Sequence, residues 1–366
     1  MINRITVENF KSLKKADVSV SNLNLLMGLN GMGKSSFLQT LLLLMQSDYL
    51  EEGMVSLNGT LVQIGQGKDA FYQFAEGKNI SLGLGINEQH YFSWQLPYLS
   101  DKEILLTVSG FSKEQMAIFR ENTNKFQYIS AERIGPRDIY DTSSVMVTDK
   151  KKIGILGEFA AYFIEVFGLD YIIPQQLRHT SAVSTKLIHQ LNAWMQEISP
   201  GVLINTKYVS GANKVILDYQ FELTKERTNA FSSKNVGFGI TYVLPVVLAL
   251  LTAEKDKIII IENPESHVHP RGQAELGKLI ALAASYGAQL FIETHSDHIL
   301  NGIRAAVKEN HIDRSKVNVM YFDKKTTDKE QFTTITQIRI DKNGTLSDYP
   351  KNFLDEWSNQ LSKLIL

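Results

Sequence analysis

The chain has 366 residues, 43% of them hydrophobic and 21% charged, an ordinary globular composition with ample apolar material for a core. It contains no cysteine, which excludes disulfides and thiolate metal sites. With 38 basic and 39 acidic residues the formal net charge is −1, which excludes a whole-protein basic field for nucleic acid.

The opening MINRITVENF lacks the basic-then-apolar pattern of a signal peptide, and no apolar run approaches the roughly 18–20 residues of a spanning helix. The expectation is a cytoplasmic protein with no membrane partner. Ile2–Val7 and Ala16–Val20 read as two strands of a hairpin-like lobe. Leu23–Met27 is an apolar, strand-like run, and Phe37–Met45 an apolar, helical one.

Between them lies Gly28-Leu29-Asn30-Gly31-Met32-Gly33-Lys34-Ser35, which fits G-x-x-x-x-G-K-[ST]. Glycines let the backbone curl so that several N–H groups point at phosphate oxygens. Lys34 adds a mobile positive charge, Ser35 offers a hydroxyl to Mg²⁺, and the following helix aims its positive end at the anion.

Residues 53–130 alternate short strand patterns with Gly, Asn and Asp turns (VSLNGTLVQIG, ISLGLGINEQHYFSWQLP, ILLTVSGFS), as an antiparallel lobe does. Phe126–Ser130 reads as a core strand. Arg133 and Arg137 follow it, placed either to reach phosphate or to pair with Glu132 or Asp138. Lys150-Lys151-Lys152 reads as a solvated loop. Residues 155–200 look helical, over ILGEFAAYFIEVFG (155–168) and then STKLIHQLNAWMQEIS (184–199), closed by Pro200-Gly201, and strands at Leu203–Val209 and Lys214–Leu223 follow. Asn235-Val236-Gly237-Phe238-Gly239 precedes an apolar helix from about Ile240 to Ala253; locally this reads as a tight turn.

Next comes the strand Lys257–Glu262, four isoleucines running into a carboxylate. That pattern describes a buried central strand with an acid at its C-terminal edge, where doubly wound sheets hold ligands. Asn263-Pro264-Glu265-Ser266-His267-Val268-His269-Pro270 continues it. Glu262 and Glu265 can divide the labour between Mg²⁺ and the attacking water. A helix over about Arg271–Tyr286, a strand Gln289–Glu293, and Thr294-His295-Ser296 leading into helix His298–Lys308 repeat the pattern, with His295 at the strand end. Val317–Phe322 and Phe332–Ile340 are late strands. The alternation of strands and helices argues for a parallel α/β sheet.

Taken in order, ITVENFKS (5–12), GLNGMGKSS (28–36), ENPESHVHP (262–270) and ETHSDHIL (293–300) resemble the RecF/SMC-type ATPases of the ABC superfamily, and most of all the overcoming-lysogenization-defect-like group. SAERIGPRD (130–138), GEFAA (157–161), NVGFGITYVLP (235–245) and DYPKNFLDE (348–356) are similar to a narrower bacterial branch with a C-terminal domain of unknown function. The resemblance implies an α/β P-loop NTPase of ABC type, with an antiparallel β lobe and a short helical insertion in place of a coiled coil. It implies one ATPase domain over 1–366: a P-loop half with its lobe at 1–135, a helical insertion at 150–200, a signature, Walker B and His-switch half at 201–340, and a tail at 341–366.

The resemblance also implies roles. Asn30, Gly31, Gly33, Lys34, Ser35 and Ser36 bind ATP; Ser35 and Glu262, partly through water, hold Mg²⁺. Glu265, Glu262 and His295 are the catalytic set, since the usual Walker B glutamate position is Asn263, an amide that cannot act as a base. The loop of Asn235, Gly237 and Gly239 stands at the signature position, contacting ATP on the other subunit of a head-to-tail homodimer. Gln63 and Gln66 are both candidates for the Q-loop. The implied function is a slow ATP-hydrolysing switch in DNA maintenance or anti-phage defence, working with a separate nuclease or other effector and with DNA as a possible ligand. The alternative is a nucleotide-gated binding module with little hydrolysis.

Overall fold

The computed structural model describes residues 1–47, 53–87, 90–107, 123–351, 353 and 356–365. The chain folds as two compact units. The first comprises Met1–Glu121, Val317–Ile340 and Leu346–Leu366; the second comprises Asn122–Lys316 and Asp341–Thr345.

In the first unit, Ile2–Phe10 and Leu13–Ser19 alternate buried and exposed side chains and pair as an antiparallel hairpin. Asn79–Ile86 and His90–Pro97 extend it to the expected antiparallel lobe, in the order 13–19, 2–10, 79–86, 90–97. The VSLNGTLVQIG stretch forms less strand than its pattern suggests: Met54–Ser56 pairs antiparallel with Ile104–Leu106, and beyond it Asn58 and Gln63 make an isolated antiparallel bridge. The part of ILLTVSGFS beyond Thr107 lies outside the described residues, as do Asn352, Leu354 and Asp355 of the tail segment.

Leu23–Met27 is buried throughout and runs parallel to Val317–Thr326. Val317–Thr326 then turns into Gln331–Ile338, and this last pair is antiparallel, a departure from the all-parallel expectation. The reason is the short connection: a parallel crossover needs a dozen or more residues, and a tight turn allows only a hairpin. The P-loop helix, Lys34–Gln46, sinks Phe37, Leu38 and Leu41–Met45 into the core.

In the second unit, Phe126–Ile129, Ile258–Glu262 and Gln289–Glu293 form a parallel trio with Ile258–Glu262 in the middle. A strand covered on both faces needs apolar residues at every position, which is why the isoleucine run does not alternate. Helices Phe238–Leu251, Pro270–Tyr286 and Asp297–Lys308 accompany it. Both helical runs of the insertion form helices, Ala160–Phe167 and Leu187–Ile198, and between them the chain follows an irregular path that includes a short 3-10 helix at Gln175–Leu177. Val202–Val209 and Lys214–Phe221 form an antiparallel pair, extended by Phe231–Ser232.

The lysine run at 150–152 is not wholly solvated. Lys152 is buried, donates to the Phe126 carbonyl and lies 4.9 Å over that ring.

Lys257, just before the acid strand, is buried and donates to the Thr252 carbonyl at 3.2 Å. Burial pushes its ammonium down to about 8 from 10.5. The unfolded chain therefore holds this proton more tightly, so stability rises with pH between about 8 and 10.5 and carries the full penalty below 8. The penalty is about 3 kcal/mol at most, at roughly 1.4 kcal/mol per unit. Lys257→Met is expected to raise the unfolding midpoint at pH 7 and to flatten its rise between pH 8 and 10. Thermal unfolding at both pH values checks this, and a lower midpoint at pH 7 would count against it.

Candidate functional site

The P-loop leaves its strand at Gly28 and enters its helix at Lys34. Gly28, Gly31 and Gly33 adopt φ of 137°, 74° and 97°, values that side chains other than glycine rarely accept. Two of these glycines are also sterically required. A Cβ on Gly28 would lie 2.2 Å from the Phe322 carbonyl oxygen, and one on Gly33 2.4 Å from Thr333 Oγ1. Gly31 faces open space. Lys34 is buried, and its Nζ donates to the carbonyls of Gly28 at 2.9 Å and Leu29 at 2.8 Å, so the ammonium is held across the loop. Asn30 and Ser35 are exposed, and Ser36 is half-buried.

The ENFKS run explains itself here. Lys11 Nζ donates to Gln39 Oε1 on the P-loop helix at 2.8 Å, and Ser12 meets Thr333. Of the Q-loop candidates, Gln63 is exposed, and Gln66 sits at the N-cap of the short helix Gly67–Ala70.

In the second unit, Glu262 ends its strand beside Glu293, its partner in the parallel register and a buried acid that the sequence reading passed over. Tyr128 Oη donates to Glu262 Oε1 at 3.0 Å, and the Ala131 N–H donates to Oε2 at 3.1 Å. Burial raises the Glu262 carboxyl above its usual value, and these two donors and Arg133 oppose the rise. The chain then turns. Asn263 takes φ of 45°, and its N–H donates to the Glu293 carbonyl at 2.8 Å. Asn is among the residues that best tolerate the left-handed region, so the amide in place of an acid has a backbone reason.

Glu265 Oε1 accepts the His295 N–H at 2.8 Å, which ties the acid turn to the histidine strand end. Glu265 Oε2 is buried and has no hydrogen-bond partner among the described residues. The His295 side chain is exposed. His269 caps helix Pro270–Tyr286, accepting from the Arg271 N–H at 3.3 Å. His267 is exposed and stands edge-on to Phe238 and Tyr242, with centroids 4.7 and 5.2 Å away.

Arg133 turns to backbone carbonyls rather than to Glu132 or Asp138. It is buried and donates to the carbonyls of Ser130 at 3.1 Å, Glu262 at 2.7 Å and Asn263 at 2.6 Å. Its guanidinium lies 4.5 Å over the Tyr242 ring, and Tyr242 Oη donates to the Ala131 carbonyl. It pins the acid turn from below, a use of its planar fork that a lysine does not reproduce. Arg137 is exposed; its backbone N–H donates to Ser233 Oγ at 3.0 Å.

The glycine loop packs on the same turn. A Cβ on Gly239 would lie 2.1 Å from the His267 carbonyl oxygen, so that glycine is demanded by packing, whereas Gly237 and Asn235 are exposed. Phe238 also lies against Gly135, and Pro245 against Gly157. The branch segments 130–138, 157–161 and 235–245 are thus mutual neighbours.

No described helix is long and apolar enough to cross a membrane. A family model described as "AAA domain, putative AbiEii toxin, Type IV TA system" matches residues 100–301, more than half of the chain. An "AAA ATPase domain" model matches residues 1–141, and a "Protein of unknown function (DUF3696)" model matches residues 312–364. No curated protein matches the sequence.

Among solved structures, an SMC head bound to the C-winged helix domain of ScpA aligns with a TM-score of 0.54 at 11% identity, over 92% of this chain and 98% of that one. An SMC head with an extended coiled coil, bound to the C-terminal domain of ScpA derived from Pyrococcus furiosus, aligns with a TM-score of 0.53 at 9% identity, over 100% and 99%. At such identities the likeness speaks for the fold, an α/β P-loop ATPase of ABC type. Among the described residues the longest helix, Pro270–Tyr286, has 17 residues, far short of a coiled-coil arm. With a P-loop in one unit, an acid strand end in the other and family models spanning both, the chain belongs to the AAA ATPase family of the AbiEii-type description.

Proposed function

We propose that the chain is a slow ATP-hydrolysing switch that closes as a head-to-tail homodimer when it holds ATP and Mg²⁺ and reopens on hydrolysis. The observation that carries this reading is the unequal state of two carboxylates. Glu262 has both oxygens engaged, whereas Glu265 keeps one buried oxygen with no partner among the described residues. A buried acceptor left open marks a place where a ligand or water belongs.

In this reading, which the motifs and their resemblance carry, Asn30, Gly31, Gly33, Lys34, Ser35 and Ser36 bind the phosphate chain, and Ser35 and Glu262, partly through water, hold Mg²⁺. When bound, Mg²⁺ neutralises charge on the phosphates and polarises the one that is transferred. Glu265 polarises the attacking water, and His295 contacts that water or the terminal phosphate. The exposed loop at Asn235 and Gly237, with Gly239 behind it, serves the nucleotide of the second copy. The reading includes a cytoplasmic setting in DNA maintenance or anti-phage defence with a separate effector such as a nuclease; the family model's wording, a putative AbiEii toxin of a type IV TA system, supports the defence setting. Asn263 favours a second reading, a nucleotide-gated DNA- or protein-binding module that scarcely hydrolyses ATP.

Light scattering of the purified chain is expected to show its mass doubling with ATP and Mg²⁺, with slow phosphate release measured alongside, with and without double-stranded DNA. A mass unchanged by ATP would remove the shared-site dimer. Stable ATP-bound dimers that release no phosphate would select the second reading.

A further inference from the structure

Residues 312–364 match only a family of unknown function, yet their first hairpin meets the P-loop at two points. Phe322 is the first: its carbonyl closes on Gly28, and its ring packs edge-on to Phe37 at 5.6 Å. Thr333, 2% exposed, is the second. Its Oγ1 lies 2.9 Å from Ser12 Oγ and 3.0 Å from the Met32 carbonyl oxygen, and its N–H donates to the Ser12 carbonyl at 2.9 Å. Each hydroxyl carries one proton. Thr333 is the donor to both, so its one proton is shared between Ser12 Oγ and the Met32 carbonyl.

The Met32 carbonyl shares a peptide unit with the Gly33 N–H. A trans peptide is planar, so its C=O and N–H point in opposite directions. Anchoring the carbonyl on Thr333 therefore aims the Gly33 N–H away from the hairpin. Gly33, with φ of 97°, has no side chain to restrict that peptide, so the restraint must come from outside the loop.

We infer that Thr333 is a positioning residue for nucleotide binding, and that the C-terminal region of unknown function serves, with Ser12, to hold the Gly33 N–H toward phosphate. The inference rests on the P-loop reading above. Docking of the hairpin does not depend on this hydroxyl. Lys14 pairs with Glu330 at 2.6 Å, and Tyr72 Oη donates to Glu330 at 3.2 Å.

Thr333→Val keeps the shape and removes the hydroxyl. Its affinity for a fluorescent ATP analogue is expected to fall about tenfold, the worth of one hydrogen bond. Thr333→Ser restores binding, and Ser12→Ala, which leaves the Thr333 proton wholly to the Met32 carbonyl, binds as well as wild type or better. Glu330→Gln is the structural control; it lowers the unfolding midpoint and leaves affinity alone. Lys34→Ala tests the underlying reading, because analogue binding by that variant at the wild-type level means that the P-loop is not the phosphate site. If Lys34→Ala loses binding while Thr333→Val binds within twofold of wild type, or if serine fails to restore what valine loses, the inference is overturned.

Discussion

Lys34→Ala loses ATP binding, with affinity falling by about a hundredfold or more, while the far-ultraviolet circular dichroism stays that of the wild type. The expectation follows from where the ammonium sits. It is 3% exposed and bonded to the carbonyls of Gly28 and Leu29, so its desolvation is already met by the fold before any ligand arrives. A phosphate brought to the loop meets a charge that is dry and fixed, and charge-assisted hydrogen bonds of that kind are each worth about 1.5–3 kcal/mol. The helix is not at risk, because alanine is the best helix former and Phe37, Leu38 and the leucine run carry its packing. Titration with a fluorescent ATP analogue measures the loss. Binding within threefold of wild type would show that the loop does not hold the nucleotide through this side chain.

The parts of the molecule legible in the sequence are those whose physics is local. Leu23–Met27 and Gln289–Glu293 have the bounds that their apolar runs predict, since each is a short buried strand between polar turns. The glycines of the P-loop, the acid at the end of the isoleucine run and the histidine after Thr294 are likewise read from a few adjacent residues. What was illegible depends on chain-distant partners. Arg133 finds the Asn263 carbonyl 130 positions away, and Thr333 finds the Met32 carbonyl 301 positions away. No periodicity announces such pairs. The insertion divides in the same way: its two apolar runs yield the helices Ala160–Phe167 and Leu187–Ile198, whereas the stretch from Pro174 to Ser184 is held by turns and side-chain-to-backbone bonds, such as Arg178 Nε to the Ile173 carbonyl.

The acid turn shows how a distant residue changes the meaning of a local motif. Read alone, Glu262-Asn263 is a Walker B end that lacks its second acid. In the fold, Asn263 is held in a left-handed turn by Arg133 on its carbonyl and by Glu293 on its N–H. The turn delivers Glu265 to the His295 N–H and leaves its second oxygen without a partner among the described residues. The same turn thus seats the amide at 263 and places the carboxylate at 265, and Tyr242 on the helix of the glycine loop stacks on the arginine that holds it.

Glu265→Gln is therefore expected to lower kcat by about a hundredfold to a thousandfold, the usual worth of a positioned general base. ATP affinity should stay within about threefold, because P-loop binding is untouched and the amide oxygen still accepts from His295. ATP-bound dimers should then accumulate. Glu262→Gln is expected to behave differently. Its carboxylate is half-buried, raised by desolvation and held by Tyr128 and Ala131, so the amide turns a donor toward a donor and weakens Mg²⁺ and ATP retention. The split between the two variants is the measurement: phosphate release at saturating ATP, Mg²⁺ dependence of turnover, and dimer lifetime on dilution. If Glu262→Gln alone stalls hydrolysis with dimers intact while Glu265→Gln turns over normally, the open oxygen of Glu265 belongs to a structural water and Glu262 acts on the reacting one.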